Sequence, residues 1–160
     1  MAVDKPSEGS GPGQAALDAR AIVGAAVHGA LATLDRATGT PYASLVLVAT
    51  GADGTPVLLL SGLAAHTRNA KADPRASLLC YAADATPDPL AGARVTLMGR
   101  IGPSTSADDR RRFLARQPAA AQYADFGDFG FYQLELTGAH FIGGFGRIVE
   151  LSVADLRNTG

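Results

Sequence analysis

The segment HTRNAKADPR, residues 66–75, concentrates side chains that could bind an anion. It lies between two apolar segments, PVLLLS and ASLLCY, that are typical of buried strands. His66 and Thr67 fall in the first turn of a short helix that Pro74 ends, just after the strand that closes at Ser61. Free backbone N–H groups at a helix start favour phosphate binding. The pattern is compatible with a phosphate site, but the residues alone favour the basic surface of a solvated helix.

Other side chains give weaker chemical signals. The histidines His28, His66 and His140 are far apart in the chain and lack the short spacings of zinc ligands, so no metal site is predicted. His28 is interpreted as the end of a helix. Cys80 is the single cysteine and lies in an apolar run, which favours a buried, inert thiol.

Composition limits the function classes. The chain has 160 residues and a formal net charge of −1, without the basic excess of a nucleic-acid-binding protein. No apolar segment is long enough to cross a bilayer, and the N-terminus lacks the pattern of a secretory signal. We therefore expect a cytoplasmic protein with no nucleic-acid or membrane partner. Residues 1–13 are predicted to be a disordered tail, and residues 14–160 a single domain.

Hydrophobic patterning predicts the elements that hold these side chains. A first helix over residues 14–28 has its buried face at Leu17, Ala21, Val23 and Val27. Apolar or alternating segments predict strands at 30–35, 41–50, 56–61, 76–81, 93–102 and 131–145. Further helices are predicted after the N-cap residue Ser106 and near residues 152–157. Many strands, short turns and few helices favour a small barrel whose outer face is covered by helices or a second subunit.

The order of these segments resembles the pyridoxamine 5′-phosphate oxidase-like, FMN-binding split-barrel superfamily, and most closely its haem-utilisation branch. The resemblance covers residues 30–148 and depends on the motifs HTRN, ADPR, GR after a strand, and FIGGFGRI. It implies a mostly β fold, a split barrel of antiparallel strands with a few flanking helices. It also implies a homodimer that binds two FMN molecules where the subunits meet.

The resemblance also assigns residues to the cofactor. One strand would lie along the flavin ring, a strand end and the HTRN segment would face its phosphate, Arg94 would reach it from the sheet, and the GGFGR segment would close the site from the partner. The positions are Ser44, Leu45, Val46, Ser61, His66, Thr67, Arg68, Asn69, Arg94, Phe145 and Arg147.

Two departures from the superfamily separate the possible functions. Ser44 stands where pyridoxamine phosphate oxidases have arginine, and their C-terminal Arg-x-His element is missing, so oxidation of pyridoxamine phosphate is not expected.

Three functional hypotheses remain. The first hypothesis is an FMN-dependent oxidoreductase of unknown small-molecule substrate. The second is a non-catalytic flavin- or haem-binding protein, with His140 as a candidate haem ligand. The third is a barrel without cofactor that serves as a protein-interaction module.

Overall fold

The computed structural model describes residues 12–82 and 87–157. The helices are α1 (Pro12–Ala25), α2 (Ala65–Ala72), α3 (Ala107–Arg116) and α4 (Val153–Leu156), with a 3-10 helix at Pro118–Gln122. The strands are β1 (His28–Leu34), β2 (Pro41–Leu47), β3 (Ala49–Thr50), β4 (Pro56–Ser61), β5 (Arg75–Tyr81), β6 (Arg94–Pro103), β7 (Phe129–Ile142) and β8 (Ile148–Leu151). The predicted tail lies outside the described residues, except that Pro12 and Gly13 form the start of α1.

The strands form one antiparallel sheet. Its order is β2-β1-β5-β6-β7-β4-β3, and β8 pairs with β7. The sheet curls until β2 approaches β4, yet these two strands do not pair, so the barrel is split between them. The mostly β split barrel with a few flanking helices is thereby confirmed, while the homodimer stays a prediction. No helix among the described residues is long and apolar enough to cross a membrane.

Alternating side chains fill the barrel. Along β6, Val95, Leu97, Gly99 and Ile101 point inward and the residues between them point outward, which is the alternation of a strand with one buried face. A second cluster lies outside the barrel, where Phe113 of α3 is fully buried against β4. Burying one large aliphatic or aromatic side chain contributes about 1.5–3 kcal/mol, so these alternating positions supply much of the free energy of folding.

The first helix differs from its prediction. Its buried residues are Ala15, Ala16, Ala19 and Val23, so Val23 of the predicted face is confirmed, whereas Leu17, Ala21 and Val27 are exposed and their predicted burial was wrong. Small alanines let α1 approach the sheet closely, which outweighs the larger burial that Leu17 would provide. The helix also ends at Ala25, and His28 begins β1 rather than ending α1.

Gly29 is needed inside β1, because a Cβ there would lie 2.8 Å from the carbonyl oxygen of Leu79.

Helix α3 is fixed at its start. Ser106 is its N-cap, as predicted, and accepts a hydrogen bond from the backbone N–H of Asp109. The Asp109 side chain is buried and accepts hydrogen bonds from Ser104 Oγ at 2.6 Å and Gln133 Nε2 at 2.5 Å. These bonds connect the helix start to β7 and satisfy a carboxylate that would be costly to bury alone.

Cys80 is fully buried, which confirms the predicted environment of its thiol. Burial raises the pKa of the Cys80 thiol to about 11, because the low-dielectric interior disfavours the thiolate. We expect iodoacetamide to leave the folded protein unlabelled near pH 8, since the thiolate is the nucleophile. After unfolding, one label per chain should appear by intact-mass spectrometry. Rapid labelling of the folded protein would contradict this assignment.

Candidate functional site

A pocket opens where the barrel is split. Its cavity volume is about 280 Å³, near the lower limit for small-molecule sites. Strands β2 and β4 form its walls, the start of α2 forms one end, and the segment before β7 forms the other. The lining residues are Leu45, Val46, Leu47, Leu59, Leu60, Ser61, Ala64, His66, Tyr123 and Phe129. Five of the eleven predicted cofactor residues therefore come together here or next to the pocket: Ser44, Leu45, Val46, Ser61 and His66.

His66 is the titratable group of this pocket. It lies in the first turn of α2, and its Nδ1 atom is 3.0 Å from Ser44 Oγ on β2. Nε2 has no hydrogen-bond partner among the described residues. Burial lowers the pKa of His66 below its ordinary value of 6.5, so the ring is neutral near pH 7. A neutral imidazole with an unpaired nitrogen is a good ligand for a transition metal.

The other walls suit a flat apolar ligand. Leu45 is 74% exposed and Leu47 is also exposed, which is unusual for large aliphatic side chains in a sheet. Facing them across the pocket, the rings of Tyr123 and Phe129 pack with centroids 4.9 Å apart. Aromatic and aliphatic surfaces of this kind stack against planar rings, so the pocket offers burial to an aromatic macrocycle or a flavin.

A carboxylate stands at the end of β4. Ser61 Oγ donates a hydrogen bond to Asp128 Oδ2 at 2.7 Å and accepts one from the backbone N–H of Leu63. The Gly62 N–H donates to the backbone carbonyl of Asp128 at 2.6 Å. The Ser61 proton is therefore already engaged, and the charge beside it repels a phosphate.

Thr67 and Asn69 face away from the pocket. Asn69 is 2% exposed, donates to Thr33 Oγ1 and accepts from the backbone N–H of Arg36. Thr67 is fully buried, and its Oγ1 has no partner among the described residues. The Asn69 bonds attach α2 to β1 and so hold the helix that carries His66. Arg68, in contrast, is exposed on the same helix.

The remaining predicted residues lie elsewhere in the chain. Arg94 is three strands from β2, roughly 14 Å at ordinary strand spacing, and donates to the carbonyls of Leu90 and Gly92. Phe145 is 79% exposed, and Arg147 pairs with Asp18 of α1 at 3.0 Å. One chain does not bring these residues to the pocket, and their contribution from a partner stays a prediction.

His140 has a different environment from His66. It lies on the outer face of β7, where Nδ1 pairs with the carboxylate of Glu150 on β8. His66 is on α2 and contacts Ser44 of β2, so the two histidines lie on different elements with different partners. His140 as a haem ligand stays a prediction.

Sequence reasoning missed the segment that closes the pocket. Tyr123, Asp128 and Phe129 belong to the stretch AAAQYADFGDFG, residues 119–130, which contains none of the predicted site residues. Three aromatic residues within a polar, glycine-containing loop were an available signal. Loops positioned by a rigid sheet often carry binding residues, and large aromatic side chains there need a surface to cover.

Comparison with known proteins places this chain in a defined group. The profile of the CREG β-barrel family matches residues 11–156. The chloroplast haem oxygenase HOZ of Arabidopsis thaliana is 36% identical over 129 residues, which cover 78% of this chain and 39% of that protein. This chain therefore spans about two fifths of the length of that relative.

Solved structures agree with this placement. A haem-binding protein from Mycobacterium smegmatis is 35% identical, with a TM-score of 0.81 over 96% of this chain and 61% of that one. The haem storage protein HutZ from Vibrio cholerae has a TM-score of 0.61 over 75% of this chain and 89% of its own. At 19% identity, that likeness concerns the fold alone.

Proposed function

We propose that this chain, which belongs to the CREG β-barrel family, binds haem in the pocket between β2 and β4, with His66 as the iron ligand. The observation that carries the proposal is the neutral, half-buried imidazole whose Nε2 has no protein partner in the described chain. The similarity to a haem oxygenase and to a haem-binding protein supports the same ligand class.

The residues present fit a porphyrin. Leu45 and Leu47 would cover one part of its apolar surface, and the rings of Tyr123 and Phe129 would contact another. Nε2 of His66 would be the nitrogen ligand of the iron. When bound, haem supplies a redox-active iron, and the protein contributes the ligand, the apolar surroundings and partial exclusion of water. The exposure of Leu45 leaves part of the macrocycle for a second copy of the chain to cover.

Titration of the purified protein with haemin tests this function. We expect saturable binding with one haem per chain, a sharpened and shifted Soret band, and a higher melting temperature, because a ligand of the native state stabilises it. Absence of saturable binding, with no change in melting temperature, would reject the proposal.

Haem affinity should depend on pH through His66. A proton and the iron compete for Nε2, and the pKa of His66 lies below 6.5 because burial disfavours the charged ring. We therefore expect constant affinity at and above about pH 7 and a steady loss as the pH falls below 6.5. Affinity that rises towards acidic pH would contradict the assigned ligand. Soret titrations across this range provide the measurement.

FMN is the second candidate, favoured by the first turn of α2. The backbone N–H groups of Ala65, His66 and Thr67 have no intrahelical acceptors, and Arg68 and Lys71 add positive charge nearby. Asp128 opposes a phosphate at Ser61, which is why haem ranks first. An FMN-dependent oxidoreductase activity depends on this candidate and stays a prediction.

The variant Asp128→Asn separates the two candidates. If a phosphate binds beside Ser61, removal of the carboxylate charge should raise FMN affinity about tenfold, equivalent to about 1.4 kcal/mol. Haem affinity should change by less than about threefold, since the iron ligand is unaffected. Fluorescence quenching of FMN and Soret titration of haem measure both. A large loss of haem affinity would show that Asp128, rather than His66, dominates haem binding.

A further inference from the structure

We infer that Ser44 is a positioning residue for His66, whose hydroxyl accepts a hydrogen bond from Nδ1–H and thereby keeps Nε2 unprotonated for a ligand in the pocket. This inference rests on the proposed haem function and deepens it. It assigns to Ser44 a role different from the contact along the flavin ring that the resemblance implied.

The geometry supports this role. Ser44 lies in the middle of β2, opposite Leu31 of β1, so its backbone position is set by the sheet. His66 is carried by a different element, α2, and the 3.0 Å contact between Nδ1 and Oγ joins the two. On the other side of α2, Asn69 bonds to Thr33 and to the N–H of Arg36. Ser44 therefore holds the imidazole, and Asn69 holds the helix that carries it.

The inferred role requires one of the two tautomers that the pair allows. A neutral imidazole carries its proton on one nitrogen, and a hydroxyl can either donate to the other nitrogen or accept from the protonated one. With the proton on Nδ1 and Oγ as acceptor, Nε2 presents its lone pair to the pocket. The opposite tautomer would place a proton on Nε2 and prevent coordination. Ligating histidines commonly use their second nitrogen in this way.

The type of acceptor also matters. A carboxylate at this position would draw the Nδ1 proton and make the ligand more like an imidazolate, whereas a neutral hydroxyl leaves it a neutral imidazole. The more imidazolate-like ligand is the stronger electron donor and stabilises ferric iron more. Ser44→Asp is therefore expected to lower the midpoint potential of the bound iron relative to the unchanged protein.

The test compares three variants in the full chain. Ser44→Ala should reduce haem affinity about 10- to 100-fold, the range found when the hydrogen-bond partner of a ligating histidine is removed. Ser44→Thr keeps the hydroxyl and should restore the affinity. Ser77→Ala, at a partly buried serine of β5 outside the pocket, is the matched control and should bind haem normally. The iron–histidine stretching band in resonance Raman spectra should shift in Ser44→Ala and return in Ser44→Thr.

A readout without haem separates this inference from the proposed function. Nitrogen NMR of the apoprotein should show His66 protonated on Nδ1, and Ser44→Ala should show a mixture of tautomers. If the unchanged protein binds haem but Ser44→Ala has the same affinity and Raman band, the positioning role is wrong and haem binding stands. If the unchanged protein does not bind haem, the proposed function fails. An apoprotein protonated on Nε2 would overturn the positioning role in either case.

Discussion

Replacing His66 by alanine should lower the affinity for haem about 100-fold, equivalent to about 2.7 kcal/mol of binding free energy. The side chain provides the unpaired nitrogen of the pocket, and its neutral state near pH 7 means that no proton must be displaced before iron binds. Apolar contacts with Leu45, Tyr123 and Phe129 should survive, so we expect residual binding. The Soret band should be shifted from that of the unchanged protein, because the nitrogen ligand is lost.

His28→Ala is the matched control for this experiment. His28 is also partly buried and contacts an aromatic ring, Tyr81, but it lies outside the pocket at the start of β1. We expect its replacement to leave haem affinity and the Soret position unchanged. Adding free imidazole to His66→Ala should restore the spectrum by refilling the axial position. If both histidine variants bind haem equally well, His66 is not the ligand.

Replacing Gly99 by alanine should be strongly destabilising. A Cβ at this position would lie 2.1 Å from the backbone carbonyl oxygen of Glu135 and 3.2 Å from Leu134 Cδ1. Gly99 adjoins the irregularity where the register of β6 and β7 shifts, so neither strand can move without disturbing the barrel. Overpacking of this kind costs about 3 kcal/mol or more, and the melting temperature should fall by roughly 6–12 °C.

Gly102→Ala, on the same strand, is the control. Nothing lies within 4 Å of a Cβ built at Gly102, so the substitution should change stability by no more than about 0.5 kcal/mol. Thermal and urea unfolding of the two variants, followed by circular dichroism, measure the difference. Equal melting temperatures for the two variants would mean that the strands yield at the bulge, contrary to the close backbone contact.

The superfamily was recognisable from the sequence, and the family match and related structures confirm it. The helical segment between two strands was also predicted correctly, since HTRNAKADPR contrasts so clearly with its apolar neighbours. Its side chains, however, were treated as one anion-binding group. In the structure His66 lines the pocket, Asn69 bonds to Thr33 of β1 and Thr67 is buried, because neighbouring positions of a helix point in different directions.

The succession of strands along the chain follows from local apolar patterns. The alternation along β6 does too, because inward and outward positions alternate with a period of two in any strand. The N-cap at Ser106 was also predictable from local sequence, because its hydrogen bond joins residues only three positions apart. Cys80 was correctly expected to be buried, since its apolar neighbours on both sides belong to one strand.

The sequence by itself determined the mostly β fold, the superfamily and the short polar helix between strands, because each of these depends on neighbouring residues. Only the tertiary structure decided which side chains meet. It brought Ser44 to His66 and Asp128 to Ser61 across 22 and 67 positions of the chain. Such contacts depend on how the sheet curls and where it stays open, and that curvature is a property of all the packed strands together rather than of any local pattern.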